Sequence, residues 1–442
     1  LLGKDVNLFA SMVGITQSGN AWTLLTDDIP PARVLEIIQK GDVEALITTR
    51  ARAARLSLPP EVAFIYADDF EAYAGGEVPE RKSEDGLAYV VYTSGSTGTP
   101  KGVEIVREGL LNYCLNVMPA LYGYDAVLSV FSLGFDAFIV ESIAALMNGK
   151  TIVLPAPGDT EDPGKMAALI RNYAVGFFTI TPSRLAAYLK NEAFRDALSR
   201  ISSIVCGGEN FKGDLLMSLK CCTDAAIYNE YGPTETTVGV SCKRLNTADH
   251  ITIGKPLPGC RLYILDEHMQ PLPIGVFGDL YIGGICVGRG YRGDPELTKK
   301  SYMDNPFEFG GRLYKTGDIG CWTREGEVAL KGRRDSQIKL RGLRIEPDEI
   351  AVRIALHPAV DRAVVRVLSQ SGSEILVAYY AADAPIPESE LMSFAATYLP
   401  TYMLPTAFVH LKEIPLTRIG KVDFSKLPAP AVSIQDAAVR GD

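Results

Sequence analysis

Tyr92-Thr93-Ser94-Gly95-Ser96-Thr97-Gly98-Thr99-Pro100-Lys101-Gly102 cuts short a β-rich run that starts at Leu87. Glycines let a backbone turn its N–H groups toward an anion. The hydroxyls of Thr93, Ser94, Ser96 and Thr97 add donors, and Lys101 adds charge. Small residues leaving a strand and ending in Pro-Lys-Gly therefore read as a cradle for the phosphates of a nucleotide. The stretch does not match GxxxxGK[ST], because Gly102 follows Lys101. A P-loop kinase is thereby disfavoured.

Outward from this loop the chain alternates. Pro31–Lys40 reads as a helix, and Ala45–Thr48 and Glu61–Tyr66 as strands. Further strands are expected at Thr151–Leu154, Phe177–Ile180 and Ile204–Cys206. Such alternation predicts an α/β core with parallel sheets. From Ile251 to Ile319 short strands separated by Gly and Pro turns, such as Arg261–Leu265 and Gly278–Ile282, predict a small β-barrel-like unit. Beyond Gly332-Arg333-Arg334-Asp335 come a strand (Gln337–Leu340), a helix (Pro347–Leu356), two strands (Ala359–Leu368, Glu374–Ala381) and a helix (Pro387–Leu399). That is a compact α+β domain. The expected division is 1–334 for the core and 335–442 for the C-terminal domain, with a loose tail after Pro428.

Composition narrows the function. The 442 residues carry a net charge of −9, which argues against nucleic acid as the main partner. The basic stretch Lys331–Arg344 could still meet a small anion. No apolar run is long enough to span a membrane, and no signal peptide is visible, so a cytoplasmic protein is expected. The eight cysteines form no CxxC pair and read as small buried thiols. The four histidines show no metal-ligand spacing, and a histidine-based triad is not expected.

Five stretches resemble motifs of the adenylate-forming superfamily, in that family's order. They are Tyr92–Gly102, Asn229-Glu230-Tyr231-Gly232-Pro233-Thr234-Glu235, Tyr314-Lys315-Thr316-Gly317-Asp318, the segment Gly332–Glu346, and Pro415-Leu416-Thr417-Arg418-Ile419-Gly420-Lys421-Val422-Asp423. The wording is most similar to the amino-acid adenylation domains of nonribosomal peptide synthetases. The resemblance implies ATP and Mg²⁺ as cofactors. The Gly/Ser loop, Lys101 and Thr234 would meet the phosphates, and Glu235 would hold Mg²⁺. Gly207, Gly208, Glu209, Asn229, Tyr231 and Gly232 would surround the adenine, with Tyr231 stacking on it. Asp318 would accept the ribose hydroxyls, with Arg333 nearby. Lys421 would stabilise charge on the transferring phosphate, and Asp335 would be the hinge of a mobile C-terminal domain. Family members carry several dozen more residues before the stretch resembling Leu1–Asn20.

The resemblance also implies an amino-acid pocket of Asp136, Ala137, Val140, Thr179, Val205, Gly207, Glu230, Val238 and Gly239, closed by Lys421. Asp136, in Phe135-Asp136-Ala137, would pair with the substrate ammonium. Two readings of Glu230 stand. With Thr179 it receives a phenol, so that tyrosine is favoured, or it pairs with a cationic side chain. The two glycines could also admit a modified ring. The implied product is an aminoacyl-AMP, passed to the phosphopantetheine thiol of a peptidyl carrier protein. No Leu-Gly-Gly-x-Ser carrier motif follows Lys421, and a small MbtH-like activator is a further partner the family uses. The competing functions are an acyl- or aryl-CoA ligase of the same superfamily, which Asp136 disfavours, and a non-catalytic nucleotide-binding scaffold, which intact Lys101, Glu235, Asp318 and Lys421 disfavour.

Overall fold

The computed structural model describes residues 1–73, 86–95, 98–121, 125–246, 250–334, 337–340, 343–370, 373–417 and 422–430. Its centre is a seven-stranded sheet. In spatial order the strands are Lys255–Pro256, Ser241–Arg244, Ala226–Tyr231, Ser203–Gly207, Phe177–Ile180, Ala126–Leu128 and Thr151–Val153. The strands from Ala226–Tyr231 to Thr151–Val153 run parallel, as expected. The other two add an antiparallel edge. Period-two alternation sends Phe178, Ile204, Cys206 and Ile227 to one face, where Met166, Ile170, Leu185, Leu216 and Leu219 cover them from helices. Phe177 and Val205 face the other way, toward Tyr113, Phe138 and Val140. Burying each such side chain contributes roughly 1.5–3 kcal/mol. This second face carries the site.

The Gly/Ser loop joins two antiparallel strands, Leu87–Thr93 and Lys101–Val106, paired from Thr93↔Lys101. The sequence reading had no return strand at Lys101. Its alternation of apolar and charged residues is short and was absorbed into the motif. A five-stranded antiparallel sheet follows, built on Cys260–Leu265, Gly278–Gly284, Tyr302–Asp304, Arg312–Trp322 and Val328–Arg333. It is the small β unit expected near Ile251, and it extends past Ile319.

Farther on, a hairpin of Ile338–Leu340 and Leu343–Ile345 precedes the helix Pro347–Ala355. A three-stranded sheet, Arg362–Gln370, Ser373–Ala381 and Ala407–Leu411, follows. The strand expected from Ala359 starts at Arg362, because Val360 N–H closes a turn onto the His357 carbonyl. Ile350, Ile354, Val365, Ala378, Leu391 and Leu399 form a separate core here. The helix is tied to the N-terminal layer by ion pairs. Arg33 meets Glu349 at 2.5 Å, and Arg353 meets Glu36 at 2.5 Å.

Candidate functional site

The Gly/Ser loop has no room for side chains where it folds back. A Cβ on Gly95 would lie 2.2 Å from the Thr99 carbonyl oxygen. Gly98 donates its N–H to Gly95 O at 3.0 Å with φ of +85°, a conformation glycine takes at little cost. The loop already holds an anion from its own chain, since Gly95 N–H donates to Glu349 Oε2 at 2.9 Å. Ser94 Oγ donates to the Arg344 carbonyl at 3.0 Å. Lys101 lies 3.6 Å from Glu346 and 3.9 Å from Glu235. Burial and then the Arg344 charge lower its pKa, against the pull of both carboxylates. Ser96 and Thr97 fall outside the described residues.

Glu235 is fully buried. Arg344 Nη1 donates to both its oxygens, at 2.9 and 2.7 Å, and Tyr291 Oη donates at 2.7 Å. Burial pushes its pKa up, but Arg344 and Lys101 outweigh that and hold it at about 2. It is therefore ionised. The turn that presents it, Thr234–Thr236, runs into Thr237 and Val238 at φ of +60° and +65°. Two β-branched residues in this region store strain. Hydrogen bonds on the neighbouring loop offset it. Thr237 Oγ1 donates to Cys286 O at 2.8 Å, and Gly288 N–H donates to Glu235 O at 2.9 Å. A buried, ionised carboxylate beside an anion-holding loop fits Mg²⁺, which takes one or two carboxylates and completes its sphere with phosphate and water oxygens. Among the described residues no three His, Cys, Asp or Glu cluster as a metal cage. In this arrangement Arg344 supplies the compensating positive charge.

The expected ribose carboxylate, Asp318, accepts from Tyr231 Oη at 2.5 Å and from Arg333 Nη1 at 2.8 Å. Tyr231 thus packs in the core of the β unit with its hydroxyl on Asp318. The basic stretch meets carboxylates of the chain itself. Arg333 pairs with Asp318, Arg334 with Asp279 at 2.7 Å, and Arg344 with Glu235. Buried carboxylates demand such partners. Gly207 ends its strand, and Gly208 turns with φ of +84°. Glu209 accepts from Ser183 N and Oγ at 2.8 and 2.7 Å, at the start of the helix Pro182–Tyr188. Asn229 donates to Thr252 O at 2.8 Å. It alternates with Glu230 and so lies on the face away from the pocket.

The pocket residues do share a wall. Thr179 pairs with Val205, and Gly207 with Glu230, in parallel register. Alternation puts all four on the second face. Asp136 and Ala137 come from the turn Asp136–Ile139, followed by buried Val140. Asp136 is an electrostatic neighbour of Glu230 and of buried Tyr89. Two observations bear on how the pocket can be used. Thr179 Oγ1 donates to Glu141 Oε1 at 2.7 Å, so its hydroxyl is left to meet a phenol only as an acceptor. The space beside Gly239 is filled by Glu230 itself, because a Cβ there would lie 2.2 Å from Glu230 Oε1. Lys421 and Asp335 lie outside the described residues.

Sequence reasoning missed Tyr113, Glu141, Tyr291, Arg344 and Glu349. Arg344 sits inside the quoted segment Gly332–Glu346 and could have been singled out. Glu141 could not, since a glutamate five residues past Asp136 looks like any surface carboxylate. It is fully buried and accepts from Ser129 Oγ at 3.0 Å, Phe131 N at 2.9 Å and Thr179 Oγ1. Burial raises its pKa, and the nearby Lys4 ammonium works against that rise. Glu141→Ala orphans three donors, two of them buried. It should lower the unfolding free energy by at least about 3 kcal/mol, read by urea denaturation. A cavity of about 870 Å³ opens between the N-terminal layer and the C-terminal unit. Its lining includes Phe135, Leu340, Leu343 and Tyr402, and it does not lie over the Gly/Ser loop.

Comparison with known proteins places this geometry. The AMP-binding enzyme family matches residues 1–292, and the AMP-binding enzyme C-terminal domain matches 349–421. Tyrocidine synthase 3 of Brevibacillus parabrevis is 36% identical over 97% of the chain. The chain spans only 7% of that relative. A four-domain nonribosomal peptide synthetase solved with AMP and glycine is 30% identical with a TM-score of 0.68, covering 98% of this chain and 32% of that one. A fused adenylation–carrier di-domain from Klebsiella oxytoca shares the fold at TM-score 0.82 and 24% identity, covering 92% of this chain and 82% of that one. With both family domains matched in sequence order, the chain belongs to the AMP-binding enzyme family and is an adenylate-forming enzyme.

Proposed function

We propose that this chain is an amino-acid adenylation domain of a nonribosomal peptide synthetase. It joins an amino acid carboxylate to the α-phosphate of ATP, releases pyrophosphate, and passes the acyl group to a carrier-bound phosphopantetheine thiol. The observation that carries the reading is the order of elements: Asp136 on the turn Asp136–Ile139, an electrostatic neighbour of Glu230, whose strand, Ala226–Tyr231, leads into the Glu235 turn. A carboxylate at Asp136 suits an α-ammonium, which an aryl or fatty acid lacks. Glu235 would hold Mg²⁺ together with phosphate oxygens, and the metal when bound neutralises phosphate charge. The N–H groups of the Gly/Ser loop and Lys101 would bind the phosphates after Glu349 and Arg344 give way. Asp318 and Arg333 would meet the ribose, and Thr234 the α-phosphate.

The core, 1–334, and the C-terminal domain, 335–442, would pivot at Asp335, bringing Lys421 to the phosphate in one arrangement and Arg344 to Glu235 in the other. The cavity between the two units gives a long thiol arm a route toward Phe135 and its neighbour Asp136. Partners of this function are a peptidyl carrier protein and a small MbtH-like activator. No helix among the described residues is long and apolar enough to cross a membrane.

Tyrosine or a related aromatic is the favoured substrate, and a basic amino acid the second reading. Glu230→Gln separates them. A side chain with a second ammonium should lose about 10- to 100-fold in kcat/KM, as a buried charge pair is lost, and a phenol less than about 10-fold. Loading of a holo-carrier protein with a panel of labelled amino acids tests the whole reading. Transfer from an amino acid is expected, and loading by an aryl acid instead would overturn it.

A further inference from the structure

Glu230 needs something to hold it. Its carboxylate stands on the pocket wall, and its electrostatic neighbours are Tyr113, Asp136 and, across the strand pair, Cys242. None of these is a cation. The hydroxyl of Tyr113 donates to Glu230 Oε1 at 2.9 Å, across 117 residues of chain. Tyr113 is 2% exposed and opens a π-helical turn, Tyr113–Val117, directly after the helix Arg107–Asn112. A π turn rotates the chain relative to an α-helix and is often found at functional sites. On the other side, the missing side chain of Gly239 leaves the room that Glu230 Oε1 occupies. The donor and the vacancy both act at Oε1 and together fix how the carboxylate is turned. Thr179, another polar group on the wall, is engaged by Glu141.

Resting on the amino-acid-activation reading above, we propose that Tyr113 is a specificity-positioning residue, which holds Glu230 as an acceptor for an O–H or N–H donor at the far end of the substrate side chain. The chemistry follows from the donor count. Tyr113 satisfies one carboxylate oxygen, and the remaining lone pairs can be met only by a donor. A substrate side chain ending in hydrocarbon would cover the carboxylate without supplying a donor, which is the basis of strong discrimination. Burial pushes Glu230 up to about 7, the Tyr113 hydrogen bond pulls it down, and Asp136 adds to the rise. A donor on the substrate favours the ionised form, so its binding should weaken as pH falls through that region.

The test compares wild type, Tyr113→Phe, Glu230→Gln and the double variant in ATP–pyrophosphate exchange. The probes are matched pairs with and without a distal donor: tyrosine and phenylalanine, lysine and norleucine. Tyr113→Phe keeps the ring and its packing. It should raise KM about 3- to 10-fold for the donor-bearing member of the preferred pair. The member without the donor, kcat, and KM for ATP should change less than about 3-fold, since the lost contact serves only substrate binding. The midpoint of the pH dependence of KM should move upward, because the lost donor stabilised the ionised carboxylate. On the Glu230→Gln background the same change should add little. Equal losses for both members of the pair, or an unchanged KM, would overturn the positioning role while leaving the reaction intact. A wild type that exchanges with no amino acid would overturn both.

Discussion

Glu235→Gln should cut amino-acid-dependent ATP–pyrophosphate exchange by about 10²- to 10³-fold. Glutamine keeps the volume and can still accept from Tyr291, but it brings no charge for a divalent cation. The same variant reports on the docked arrangement of the two units. Arg344 is a half-buried guanidinium from the C-terminal unit, and Glu235 is the fully buried carboxylate that meets it at 2.7 Å. Removing one partner of a buried pair leaves the other uncompensated, a loss of about 3–5 kcal/mol. The C-terminal unit of the variant should therefore undock more readily, seen as a larger radius of gyration in solution scattering. The pH dependence has a definite sign. Glu235 is lowered from 4.5 to about 2, so its contribution is fully present above pH 4.5 and is lost as pH falls toward 2. The variant should lack that acid limb. A variant with wild-type exchange and an unchanged acid limb contradicts the assignment.

Lys421→Ala should lower adenylate formation by about 10²- to 10³-fold while ATP binding survives. In-line attack of a carboxylate on the α-phosphate builds charge on the equatorial oxygens, and a lysine placed there stabilises it. The attacking carboxylate is already ionised, so no general base is required, in keeping with four histidines that show no triad spacing. Exchange kinetics and calorimetric titration with ATP measure the two effects separately. Exchange at the wild-type rate in Lys421→Ala would remove the residue from the mechanism.

Elements with strong local signals were legible in the sequence. The parallel strands Phe177–Ile180 and Ser203–Gly207 are short, largely apolar runs, because both faces of that sheet are covered. The helix Pro347–Ala355 carries Pro at its first turn and a clean apolar stripe. The return strand Lys101–Val106 was hidden because half of its meaning lies in its partner, Leu87–Thr93. Among site residues, Glu235, Asp136 and Asp318 were legible from motifs, since their neighbours in sequence are part of the signal. Tyr113, Glu141 and Glu349 were not. Tyr113 and Glu349 act across long separations, such as the 254 residues from Gly95 to Glu349, and nothing beside Glu141 in sequence marks that it is buried. The face of Thr179 was legible in the sequence, but its contact with Glu141 was not. A strand register tells which way a hydroxyl points, and the buried Glu141 decides what it meets.

The most direct measurement is Mg²⁺-dependent ATP–pyrophosphate exchange across the common amino acids and several aryl acids. Exchange that requires an amino acid, strongest with tyrosine or another side chain carrying a distal donor, is the predicted result. Exchange driven best by an acid without an α-ammonium, or by no amino acid at all, would contradict the roles given to Asp136 and Glu230.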